Sequence, residues 1–251
     1  MKKIFYYSAL CLAIAAGSSC SKIDNEAAPS STITGSTIDE GTGKTVQTEI
    51  GGGGTRVKLL ETSYSANPVP IYFQSKQDGT FENTKVFDAT YKVSVEGPFV
   101  PVVQTSSNGA LLSDSSQTIV LKKQANVNFK VQPFLRVDWV GTPVVNPDNT
   151  VTVKVKVTRG TANPSYLLDV TDINLYVSNT QYDGSNNYDP RYSTLTQYSG
   201  ATGTGLLGQV ITITTTGGSL PAQDVYFRVG ARINAGLNQY NYSTPVLASH
   251  Q

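Results

Sequence analysis

Between Thr150 and Thr158 the chain alternates without a break: Val151, Val153, Val155 and Val157 are separated by Thr152, Lys154 and Lys156. Only an extended strand places every second side chain on one face, so the valines line a core while Thr and Lys face water. The same period recurs at Thr55–Glu61, at Thr90–Val95, through Ile173, Leu175 and Val177, and through Val225, Phe227, Val229, Ala231 and Ile233. Shorter strands are expected at Thr32–Ile38, Thr118–Leu121, Val127–Val131 and Val210–Thr214, punctuated by turns such as Asp78-Gly79. No stretch carries a sustained helical period, and abundant Thr, Val and Tyr favour strands. The chain is predicted to be all-β.

Its 251 residues exceed a usual domain of roughly 100–150 residues, so two tandem β-sandwiches are expected, over 32–133 and 134–251. The boundary falls near Gln132-Pro133.

Residues 1–19 read as an export signal rather than as structure. Lys2 and Lys3 precede an apolar run, Ile4 to Ala16, that is too short to span a bilayer. Gly17-Ser18-Ser19-Cys20 follows and resembles a bacterial lipobox, with Gly17 where Leu is usual. The resemblance implies that Cys20 is acylated and becomes the N-terminus, and two or more acyl chains hold a protein stably to a membrane. Residues 20–31 then form the lipidated Cys and a polar tether. Cys11 leaves with the signal, so the mature chain keeps no thiol for a disulfide or a zinc site.

Without Lys2 and Lys3, 17 basic residues face 18 acidic ones, and no basic block is present to neutralise phosphates. Nucleic acid is not an expected partner. Gly41-Thr42-Gly43-Lys44-Thr45 resembles the end of a phosphate-binding loop, but Ile38 stands where that motif needs Gly and no helix follows. The one histidine, His250, is penultimate and cannot be held rigidly in a triad. The turn acids Asp39, Asp78, Asp148, Asp183 and Asp189 are read as Asx-turn or solvated groups rather than as a glycosidase pair or a calcium loop. No enzyme activity, metal or cofactor is expected.

The most pointed feature is aromatic. Tyr182, Tyr188, Tyr192 and Tyr198 lie among Asn, Ser, Thr, Gln and Asp. Tyr rings offer apolar faces to sugars at low entropic cost, while amides and carboxylates take the hydroxyls. The competing reading is that the rings pack on the sandwich. Tyr64, Tyr72 and Phe73 in a Pro-rich loop form a weaker cluster, and Tyr240, Tyr242 and Arg232 a third; Trp139 is expected in a strand beside Val137.

The first domain resembles the carboxypeptidase-regulatory-like domain. The resemblance is carried by Gly35-Ser36-Thr37-Ile38-Asp39, Thr42-Gly43-Lys44, Thr55–Leu59, Asp78-Gly79-Thr80-Phe81 and Tyr91-Lys92-Val93. The second, with its closing strand and turn from Ala231 to Gly236, resembles a fibronectin type III or immunoglobulin-like sandwich. Signal, tether and two sandwiches together resemble an uncharacterised family of Bacteroidetes lipoproteins associated with SusC/SusD-type uptake systems. That resemblance implies an outer-membrane, cell-surface lipoprotein. Its expected role is as a non-catalytic glycan-binding accessory of the transporter, or as a structural or docking subunit without its own ligand.

Overall fold

The structure, a computed structural model, describes residues 27–64, 66–221 and 223–249. Cys20 and most of the expected tether lie outside the described residues. Nearly all regular structure is β, and no helix among the described residues is long and apolar enough to cross a membrane.

The first domain is a sandwich of two main sheets. Strand β1 (Ser31–Asp39) is central in one of them. The other is built on β2 (Arg56–Glu61), flanked by β3 (Ile71–Gln74). Next come β4 (Thr80–Val86), antiparallel to β1, and β5 (Ala89–Glu96), antiparallel to β2. A small hairpin, β6 (Val103–Thr105) and β7 (Leu111–Asp114), precedes β8 (Gln117–Leu121), which closes the order β3-β2-β5-β8. The last strand, β9 (Gln124–Val131), runs parallel to β1 from Thr32↔Gln124 to Asp39↔Val131. Ile33, Phe81, Val57, Leu59, Val93, Val127 and Phe129 fill the space between the sheets. Gly35 is required there: a Cβ would lie 1.9 Å from the Val127 carbonyl oxygen and 2.4 Å from the Phe81 ring.

In the second domain β10 (Leu135–Trp139), the two-residue β11 (Val144–Val145) and β12 (Val151–Arg159) form one sheet. Strand β13 (Val170–Ser178) starts the other, and β14 (Val210–Thr214) returns to pair with β12. Strand β15 (Asp224–Ile233) pairs with β13, with β16 (Asn241–Tyr242) and with β17 (Val246–Ser249). The valines of β12 are buried between the sheets as their alternation requires, against Ile173, Leu175, Phe227 and Val229.

Two sequence expectations change here. Ile71–Gln74, read as part of a Pro-rich loop, is an edge strand, so Phe73 packs edge-on to Phe81 at 6.1 Å while Tyr72 lies outside under Arg56. And β13 is buried on both faces, because Tyr188, Tyr240 and Tyr242 pack over its outer residues Asp172, Asn174 and Tyr176. Residues 189–198 also pair along its edge, where Leu175 and Thr194 exchange both backbone hydrogen bonds, at 2.8 and 2.9 Å. Leu175→Ala is expected to lower the unfolding free energy by roughly 2–5 kcal/mol, whereas Leu247→Ala, at a half-exposed position, should change it by less than about 0.5 kcal/mol in denaturant titration.

Candidate functional site

The outer face of β15 is the starting point. Alternation puts Arg228 there, opposite the core, yet its side chain is 0% exposed. Domain one covers it. The guanidinium donates to four carbonyls: Ser243 (3.1 Å), Asp183 (3.2 Å), and, across the junction, Thr48 (2.9 Å) and Gln77 (3.4 Å). It also lies 4.3 Å from the centroid of the Tyr242 ring. Burial pushes its pKa down, while Tyr242, Asp183 and Glu49 oppose the shift.

Glu49 supplies the complementary charge from domain one and is itself 2% exposed. It accepts from Asn186 N (2.6 Å), Tyr242 Oη (2.7 Å) and Ser185 Oγ (2.8 Å), all in domain two. Three donors from domain two thus satisfy the oxygens of a carboxyl group buried in domain one. A second tie joins Asp39 to Arg136 through two hydrogen bonds of 2.5 and 2.7 Å, and Asn241 bridges Leu135 N and the Pro98 carbonyl at 3.0 and 2.9 Å.

This junction fixes the aromatic site. Tyr242 contacts Tyr176 (6.0 Å between centroids) and Tyr240 (5.8 Å), and Tyr176 contacts Tyr188 (5.4 Å). Asn174 donates to both Tyr176 Oη (3.1 Å) and Tyr240 Oη (3.2 Å), and accepts from Thr196 N (2.7 Å). Tyr240 is further held under Arg232, which pairs with Asp172 at 2.7 Å. The expected grouping of Tyr240, Tyr242 and Arg232 therefore exists, with Tyr176 at its centre.

Tyr188 is the outermost ring of this stack and forms a ridge between two hollows. One, of about 400 Å³, is shared with Tyr192, Asp189, Arg191, Asn179 and Gln223. The other, also about 400 Å³, lies against Tyr176, Tyr240, Asp172 and Gln197. Around the first hollow the side-chain amides of Asn179 and Gln223 and the hydroxyls of Tyr188 and Tyr192 make no hydrogen bond to any described residue. Asp189 accepts from Arg191 at 2.7 and 3.0 Å, and this pairing holds its carboxyl below the usual range. No second carboxylate lines that hollow.

The four tyrosines singled out by sequence are all half-buried, and they are not brought to one face. Tyr188 and Tyr192 share a hollow. Tyr182 turns toward the junction, 5.7 Å from Arg228, and Tyr198 packs against the domain-two core beside Gly203. Arg191 also lies over the Tyr192 ring at 5.2 Å. In the other large groove, about 600 Å³ at the domain junction beside Trp139, Asp39 is paired with Arg136 and Trp139 Nε1 with the Thr244 carbonyl at 2.8 Å.

Among the turn acids, Asp78 and Asp148 make the Asx-type bonds expected, to Thr80 and Thr150. Asp183 does not. It is fully buried, and neither carboxylate oxygen has a partner among the described residues. Burial pushes its pKa up to about 8, with Arg228 pulling the other way. No group of three or more His, Cys, Asp or Glu able to hold a metal occurs among the described residues. An acid whose folded pKa lies above its unfolded value of about 4 binds more protons when folded, so its ionisation weakens the fold as pH rises from about 4 to 8. Asp183→Asn is expected to remove that part of the loss and to raise the melting temperature at pH ~8 more than at pH ~5.

Two family models match the chain: the N-terminal domain of DUF3823, a protein of unknown function, over 31–132, and its C-terminal domain of unknown function over 141–247. No similar sequence is found among curated proteins. A DUF3823 protein from Bacteroides uniformis, solved by crystallography, is 36% identical, with a TM-score of 0.82 over 89% of this chain and 100% of that one. A second B. uniformis protein, whose given name is that of a candidate carbohydrate-binding protein, shares the fold at 23% identity and a TM-score of 0.63, covering 88% of this chain and 99% of its own. A DUF3823 protein from Parabacteroides merdae does so at 21% identity and 0.66, over 89% and 100%. The chain is a member of the DUF3823 family, an all-β, two-domain group whose function is unassigned.

Proposed function

We propose that this protein is a non-catalytic glycan-binding lipoprotein, anchored in the outer membrane through Cys20 and displayed at the cell surface as an accessory of a SusC/SusD-type uptake system. The observation that carries the binding assignment is the Tyr188 ridge. One aromatic edge stands between two hollows, with Asn179, Gln223 and two phenol hydroxyls left unengaged beside it. A sugar ring set against Tyr188 would place its hydroxyls among these groups and the Asp189–Arg191 pair. The fold-sharing B. uniformis protein with a carbohydrate-binding name agrees with this reading.

The buried junction favours a second reading, a passive spacer or docking subunit. Glu49 and Arg228 hold the two sandwiches together whether or not a ligand binds.

A soluble chain beginning after Cys20 is expected to bind saturably to at least one member of a panel of plant, mucin and microbial polysaccharides. Tyr188→Ala should weaken that binding by about 2 kcal/mol, roughly thirtyfold in Kd, with the circular dichroism spectrum unchanged. A folded protein that binds nothing across the panel would move the assignment to the spacer reading. Separately, Cys20→Ser in the full chain should abolish incorporation of labelled palmitate and release the protein from the membrane fraction.

A further inference from the structure

Tyr64 and Val69 are 84% and 81% exposed in the β2–β3 loop, Phe87 is 48% exposed between β4 and β5, and Ile71 is half exposed where β3 begins. Tyr64, Ile71 and Phe87 line one open hollow of about 590 Å³. Soluble surfaces scatter large apolar residues singly; a contiguous group at one end calls for a partner.

Topology puts this group at one pole of domain one. The start of β1, the end of β4, the start of β5 and the end of β8 meet there, while Asp39 and the Thr48–Gly54 segment meet domain two at the other pole. The described chain begins at the same pole, with Ala27, Ala28 and Pro29 forming part of the hollow's wall. The β8–β9 turn adds Lys122 and Lys123, both exposed, with Asp88 as their nearby carboxylate. The acids facing the patch are Glu61 and Asp88, and Asp88 is engaged by Ser31 Oγ and by Lys123 N (3.2 Å).

We infer that this pole is a membrane-contact surface: Tyr64, Val69, Ile71 and Phe87 enter the interfacial layer of a phospholipid bilayer, and Lys122 and Lys123 lie at the level of its phosphates. The inference rests on the acylation of Cys20 proposed above. Seven residues, Cys20–Glu26, precede Ala27, and at ~3.6 Å each they span at most about 25 Å. Whatever path they take, the pole stays within that distance of the acyl chains, and it is the pole that domain two leaves free. Aromatic and aliphatic tips flanked by lysines match the interfacial layer, where rings sit at headgroup depth and cations meet phosphate.

The test uses the acylated full chain in phosphatidylethanolamine vesicles containing phosphatidylglycerol. An environment-sensitive fluorophore is attached to Phe87→Cys or, as the control on domain two, to Val145→Cys; both native side chains are exposed. Expected are a blue shift and quenching by a lipid-borne quencher at position 87, with neither at 145, and a loss of part of the shift in a Lys122→Glu/Lys123→Glu background. Protein that floats with the vesicles while position 87 is quenched by aqueous iodide as fully as position 145 overturns the inference and leaves the anchor standing. Protein that does not float overturns the anchor and the inference with it.

Discussion

The junction between the two sandwiches is organised around one buried cation. Arg228 sits where two sandwiches meet, satisfied by carbonyls from both and stacked on Tyr242, while Glu49 takes the other side of the same tyrosine through its hydroxyl. Buried polar groups of this kind add little net stability over a well-packed apolar junction, but each one left without its cross-domain partner is costly. Truncating Arg228 would leave the Thr48 and Asp183 carbonyls without this buried donor, and truncating Glu49 would strip Asn186 N, Ser185 Oγ and Tyr242 Oη of their acceptor.

The Tyr188 ridge inherits its position from that junction. Tyr242 braces Tyr176 and Tyr240, these brace Tyr188, and the strap 189–198 is bonded along β13 so that the ring cannot fold away. A platform built this way loses little freedom when a ligand arrives, which is the usual condition for useful affinity from a small contact. The ridge is therefore part of the fold's packing as much as part of its surface: Tyr192 and Tyr198 pack on the domain-two core, and Tyr188 packs on the Tyr176–Tyr240–Tyr242 cluster while keeping one side open.

Strands with strict alternation, above all β12 and β15, were legible because one face meets a core and the other meets water or something polar. Alternation does not say what covers the second face. Arg228 belongs to that blind side; the available signal was Gly230, a glycine inside a strand, which marks close approach, and a Cβ there would lie 2.8 Å from the Tyr242 ring. Strand β3 escaped notice because four residues between Pro70 and a turn are too few to show a period, and β16 has only two. Asp183 looked like any other turn acid, because burial under a second domain leaves no mark on local sequence. The clustering of Tyr188 with Tyr192 apart from Tyr182 and Tyr198 likewise depends on how the strap crosses β13.

The parallel pairing of β1 with β9 has a mechanical consequence. β1 enters at the lysine-flanked pole and β9 leaves at the other, toward domain two, so tension between the two ends of the domain pulls these neighbouring strands in opposite directions along their length. The share of the load that passes from β1 to β9 falls in shear along the ladder from Thr32↔Gln124 to Asp39↔Val131, instead of opening it bond by bond as in an unzipping hairpin, while Asp39–Arg136 and the Glu49 contacts carry the rest. Domain one is thus wired to resist a pull along its length.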